Sequence, residues 1–151
     1  MKIDKFIASD GIEYFISYVS GDKKTLYGFC RLRIPGKNAN QLEEIKNHSL
    51  IRELHVYSSL TPVNDISTTK IQHKGIGKKL MKKAEMLSLY HNHSNIAVIS
   101  GVGVRNYYKK IGYSLKNTFM IKSFTKFQMF KNIIIQYLYL IWYIVQHMRN
   151  S

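Results

Sequence analysis

Residues 72 to 81 read QHKGIGKKLM and set a Gln72-x-x-Gly75-x-Gly77 pattern directly ahead of a segment with helical periodicity. The start of a helix presents unpaired backbone N–H groups and a partial positive charge. An anion reaches those donors only where side chains leave room. Glycine, lacking Cβ, clears the approach and allows a tight turn. The pattern therefore reads as a cradle for a phosphate or diphosphate, or as a close helix entry made only for packing. It is neither a Walker loop, whose G-x-x-x-x-G-K-[ST] spacing is absent, nor the three-glycine dinucleotide fingerprint.

Other chemistry is narrowed by what the chain lacks. Cys30 is the single cysteine, which excludes an intramolecular disulfide, a thiolate zinc cage and a cysteine-held iron–sulfur cluster. His91-x-His93 has no carboxylate or cysteine at ligand spacing and reads as a polar helix end, so no metal site is expected. Lys plus Arg number 23 against 9 acids, a net charge of +14. Such a field favours polyanions: nucleic acid, an anionic membrane surface or a phosphate-bearing cofactor. A solvated basic surface is the plainer reading. The amino terminus, MKIDKFIASDG, carries charges where a signal peptide needs an apolar run, so an intracellular, cytoplasmic location is expected.

The elements that must position the glycine pattern follow from periodicity. A length of 151 residues suits one domain with a sizeable core. Ile12 to Tyr18 and Leu26 to Ile34 are rich in β-branched and aromatic residues, and Ser20-Gly21-Asp22 between them makes a hairpin. Residues 37 to 49 are polar and read as a loop or short helix. IRELHVY, Ile51 to Tyr57, is a third strand, in which strict alternation puts Ile51, Glu53 and His55 on one side. After the glycines, Ile76, Leu80, Ala84 and Leu87 share one helical face, with Lys78, Lys79, Lys82 and Lys83 elsewhere. Ile96 to Val102 is almost wholly apolar, as a strand buried on both faces should be. Residues 105 to 113 form a short helix capped at Gly112, and Phe119 to Phe124 is a last strand. The order β-β-β-α-β-α-β predicts the α/β (α+β) class, a mixed sheet flanked by helices.

A hydrophobic tail remains. Phe127 to Met148 reads FQMFKNIIIQYLYLIWYIVQHM, and its apolar heart, Ile133 to Val145, is short of the roughly 20 residues a membrane span needs. Trp142 and Tyr143 suit an interface. Membrane contact through residues 127–148 and a buried or oligomer-forming helix are both open. We divide the chain into residues 1–124 and an appended helix, 125–151.

The glycine spacing resembles the acyl-CoA loop of the GNAT acetyltransferase superfamily, Q/R-x-x-G-x-G/A. Asn106-Tyr107-Tyr108-x-Lys110-x-Gly112-Tyr113 resembles the superfamily's N…Y-x-K-x-G-F/Y helix. More narrowly, IRELHVY, then QHKGIGKKLMKKAE, then VISGVGVRNYYKKIGY is similar to the acetyltransferase domain of the Elongator catalytic subunit, over residues 11 to 124. That family also carries a radical-SAM domain with a cysteine-bound cluster, for which these residues have neither the cysteines nor the length. Ser58 replaces the family's usual glycine, and the tail has no counterpart.

The resemblance implies a GNAT fold in which the strand before the loop splays from the next strand and acetyl-CoA lies in the opening. It implies that Glu53, Leu54, His55 and Val56 meet the acetyl and pantetheine portion. Gln72, His73, Lys74, Gly75, Ile76, Gly77 and Lys78 would meet the diphosphate. Tyr108 matches the tyrosine aimed at the thioester sulfur, a phenol being a reasonable acid for a departing thiolate, while Tyr107 is expected to pack. The base that deprotonates the amine is open among Glu53, His55 and His73. The implied activity is acetyl transfer to an amine: a protein lysine, a small amine or an RNA-linked group. The alternative is a non-catalytic module that binds acetyl-CoA or tRNA through its basic face.

Overall fold

The computed structural model describes residues 1–39, 41–57 and 75–148. One seven-stranded sheet runs β1 (Lys2–Ile7), β2 (Gly11–Val19), β3 (Leu26–Pro35), β4 (Ser49–Val56), β5 (Asn95–Val98), β7 (Phe119–Ser123), β6 (Ser114–Lys116) in spatial order. All neighbours are antiparallel except β4 and β5. That mixed sheet agrees with the expected class. Helix α1 (Ile76–Tyr90) connects the parallel pair, α2 (Arg105–Lys110) follows β5, and α3 (Lys126–Met148) ends the described chain.

Alternation builds the core. Tyr14, Ile16, Cys30, Leu32, Ile34 and Ile51 are buried on one sheet face, against Ile76, Leu80, Met81 and Ala84 of α1. Each fully buried aliphatic side chain there is worth about 1.5–3 kcal/mol. The Ser49 and Ser88 hydroxyls, both fully buried, bond at 2.6 Å and tie β4 to α1. A smaller cluster of Ile45, Ala97, Phe119 and Ile121 lies apart, so β5 is covered on both faces, as its composition requires.

Three expectations need correction. Lys2–Ile7 is an edge strand paired with β2, and Ser114–Lys116 forms a hairpin with β7. Neither short, charged segment stands out by composition. The apolar run from Ile96 leaves the sheet after Val98: Gly101 begins a 3-10 turn at Val102–Val104, and Val102 is exposed. The third correction concerns β4. Its register against β3 shifts between Leu32↔Ile51 and Arg31↔Glu53, so Arg52 is an extra residue, a β-bulge. Ile51 faces the α1 core, and beyond the bulge Leu54, opposite buried Cys30, takes that side. Glu53 and His55 therefore lie on the other face, not on the side of Ile51.

Candidate active site

The parallel pair is short. Ser49, Leu50 and Ile51 pair with Ile96, Ala97 and Val98, and the Ile99 N–H closes the ladder on the Ile51 carbonyl at 3.1 Å. β4 continues to Val56 while the other chain turns away. Among the described residues, the β4 edge from Glu53 to Val56 has no ladder partner on the β5 side. A strand edge of this kind offers N–H and C=O groups to an extended ligand.

The start of α1 stands beside that edge. Gly75 occupies the N-cap with φ +90° and ψ 2°, a conformation that glycine adopts without strain. Among the described residues no side chain caps the helix, its first turn holds no acid, and a Cβ at Gly75 would meet nothing within 4 Å. Gly77 is tight instead: a Cβ there would come within 2.8 Å of the Tyr107 hydroxyl and 3.5 Å of Val56 Cγ2. Gly28 of β3, which sequence reasoning missed, allows the same close approach from behind. A Cβ on it would sit 2.7 Å from the His55 carbonyl and 3.4 Å from Ile76. Its signal was a glycine inside a strand, a mark of close backbone approach.

Leu54, Val56, Gly75, Gly77, Lys78, Val104, Tyr107 and Tyr108 line one open cavity of about 410 Å³. Five of the expected cofactor residues and the expected acid meet there. Ile76 is fully buried beneath it and contributes backbone only. Gln72, His73 and Lys74 lie outside the described residues. Tyr107, expected to pack, has a buried hydroxyl that finds no hydrogen-bond partner among the described residues, an orphan that a ligand in the cavity would satisfy. Tyr108 and Tyr113 pack edge to face. Burial, then Tyr107, then Cys30 push the Tyr108 phenol up to about 12, so it is held protonated. Tyr113 bonds to Glu85 at 3.0 Å, and Lys122 bonds to both Glu85 oxygens at 3.0 Å, which locks the end of α2 to α1.

Glu53 and His55 are not in this cavity. Arg31 Nη1 donates to Glu53 Oε1 at 2.5 Å, and His55 stacks on Phe29 with centroids 5.1 Å apart. Their face carries a larger cavity of about 620 Å³, lined in part by Glu13, Arg31, Arg33, Leu50, Arg52 and Ile99. Arg52, the bulge residue, bonds Glu13 at 2.9 Å. Leu50, paired with Ala97 inside the ladder, packs on the smaller cluster, so this cavity lies on the sheet face away from α1 and shares no lining residue with the smaller one. His91 and His93 serve structure: His91 Nε2 bonds the Tyr14 hydroxyl at 2.8 Å, and His93 Nδ1 bonds the Asn47 carbonyl at 2.9 Å.

No family model matches the chain. Among curated proteins, human Elongator complex protein 3 is 45% identical over 118 residues, 78% of this chain and 22% of that protein. The chain thus spans about a fifth of the length of the curated relatives it matches. Among solved structures, archaeal Elp3 from Methanocaldococcus infernus superposes with a TM-score of 0.67 at 34% identity, over 82% of this chain and 29% of that one. An acetyltransferase from Bacillus anthracis, solved in complex with acetyl coenzyme A, gives a TM-score of 0.53 at 16% identity over 78% of this chain and 66% of that one, a likeness of fold alone. Strand order and sequence together show a GNAT-like fold in a chain similar to a segment of Elongator complex protein 3.

Proposed function

We propose that the domain is an N-acetyltransferase that takes acetyl-CoA as acyl donor. The observation that carries this reading is the divergence of β4 from β5 beyond Ile51 and Val98, beside an uncapped helix start. The residues present fit the cofactor: Gly77 leaves room under Tyr107, whose buried hydroxyl has no partner among the described residues, and no described residue crowds Gly75 at the helix mouth. Gly75, the N–H groups of Ile76, Gly77 and Lys78, and the Lys78 ammonium would hold the diphosphate, joined by Gln72, His73 and Lys74 of the preceding segment. The free edge of β4, Glu53 to Val56, would pair with the pantetheine amides. Bound there, acetyl-CoA supplies an activated acyl group that an amine nitrogen can take up.

The chain's own groups then divide the proton work. Tyr108 Oη keeps its proton at neutral pH and can give it to a departing thiolate. The amine's surplus proton needs an acceptor: Glu53 and His55 stand on the other sheet face, and His73, the third candidate, lies outside the described residues. Glu53 is fixed by Arg31, and His55 is exposed and held by Phe29.

The acceptor classes are a protein lysine, a small amine or an RNA-linked amine. The net charge of +14 and the exposed Lys78, Lys79 and Lys82 of α1 support a polyanionic partner, tRNA among them. Residues 1–124 would carry this activity, with 125–151 as an appended helix. Incubation of the purified chain with labelled acetyl-CoA and a panel of amines, histone tails and tRNA tests the reading. Label on any acceptor supports transfer. Binding of acetyl-CoA with no labelled acceptor in the panel reduces the domain to a binding module.

A further inference from the structure

Helix α3 wears its polar side inward. It meets the body through half-buried Met129, Asn132 and Gln136. Asn132 Nδ2 donates to the Leu89 carbonyl at 2.6 Å, and Gln136 Nε2 to the Tyr90 carbonyl at 2.8 Å, both at the end of α1. At about 100° per residue, Phe127, Lys131, Ile134, Leu138, Ile141, Val145 and Met148 fall on the side away from those contacts. All seven are exposed. Their spacing alternates four and three residues without a break, the a and d positions of three heptads. A helix with so broad an apolar surface is normally covered.

We propose that this stripe docks on the same stripe of a second copy of the chain, the two helices antiparallel about a two-fold axis near Leu138. Area permits it. The stripe and its exposed flanks Phe130, Tyr137 and Ile144 offer on the order of 1,000 Å² per copy, against about 800 Å² that each partner buries in a standard interface. Charge sets the direction. Parallel helices would bring two bodies of charge +14 side by side and face Lys131 with Lys131. The antiparallel pair sends the bodies to opposite ends and sets each Lys131 against the partner's last helical turn, whose carbonyls attract a cation. A bilayer is the weaker occupant: among the described residues no helix is long and apolar enough to cross a membrane. Nor does α3 show the charged face with which a surface-lying helix meets water.

Sedimentation velocity and light scattering on the full chain across the micromolar range, with cysteine cross-linking, test this. The expected result is a particle of twice 17.7 kDa, returned to half that mass by the double variant Leu138→Glu/Ile141→Glu. Cys30 has no exposed surface, so added cysteines report cleanly. Leu138→Cys should form a disulfide-linked dimer on oxidation and Phe127→Cys should not. Cross-linking decides the matter even if the double variant fails to fold. A wild type that stays at the monomer mass overturns the proposal, as does equal cross-linking at Phe127→Cys. So does a monomer that co-floats with phosphatidylserine vesicles through this helix.

Discussion

Ile51 is paired with Val98, and it is the last residue of β4 whose opposite number in β5 stays beside it. The candidate site residues are arranged around that parting. On one face stand the tyrosines, Gly77 and the helix mouth, and on the other the Arg31–Glu53 pair and the arginine-lined cavity.

Tyr108→Phe removes the proposed acid and leaves the ring in place. We expect turnover to fall by about 10²-fold or more, with little change in acetyl-CoA affinity. Steady-state kinetics beside calorimetry measures the two separately. Unchanged turnover removes the residue from the proton path.

Glu53→Gln and His55→Ala separate the two candidate bases. The one that accepts the amine proton should lose turnover and the acid limb of its pH–rate profile, with acetyl-CoA still bound. A variant that loses only affinity places that residue in cofactor binding instead. Arg31→Ala should reproduce part of the Glu53→Gln effect, because it frees the carboxylate that the guanidinium now fixes.

Gly28→Ala forces a Cβ against the His55 carbonyl at 2.7 Å and the Val56 Cα at 3.2 Å. Backbone must move, and overpacking of this kind costs about 1–3 kcal/mol. Chemical denaturation should show that loss, together with weakened acetyl-CoA binding as β4 shifts. Gly75→Ala meets no neighbour among the described residues, and its cost should stay near the roughly 1–2 kcal/mol of the left-handed conformation.

Alkaline stability follows from the buried phenols. Tyr108 is pushed up to about 12, and burial with Glu85 beside it pushes Tyr113 up further. Both are neutral in folded and unfolded chains below pH 10. Above that, the unfolded chain ionises first, so stability should fall as pH rises from about 10 towards 12. The slope is about 1.4 kcal/mol per pH unit for each such group. Denaturation midpoints across that range check it, and Tyr113→Phe should flatten the slope.

Much of this was legible in the sequence because it depends on local chemistry. The β2–β3 hairpin is marked by Ser20-Gly21-Asp22, the α1 face by Ile76, Leu80 and Ala84, and the capping role of Gly112 by its place after α2, where φ is +90°. Leu54, Val56, Gly75, Gly77 and Lys78, expected to meet a cofactor, line one cavity. What could not be read depends on partners. The bulge at Arg52 exists only in the register between β3 and β4, and it alone moves Glu53 and His55 to the far face. The end of β5 at Val98 is likewise set by where the chain turns, while its apolar composition runs on. Tyr107 reads as a packing residue in the sequence because the surroundings of its hydroxyl depend on Gly77, thirty positions earlier.

The most direct measurement is calorimetric titration of acetyl-CoA into the wild-type chain and into Gly77→Val. The account predicts one saturable site in the wild type and a loss of affinity of at least about 30-fold in the variant, roughly 2 kcal/mol, because the new side chain collides with Tyr107 where the ligand must pass. A folded Gly77→Val protein that binds as tightly as the wild type would contradict it.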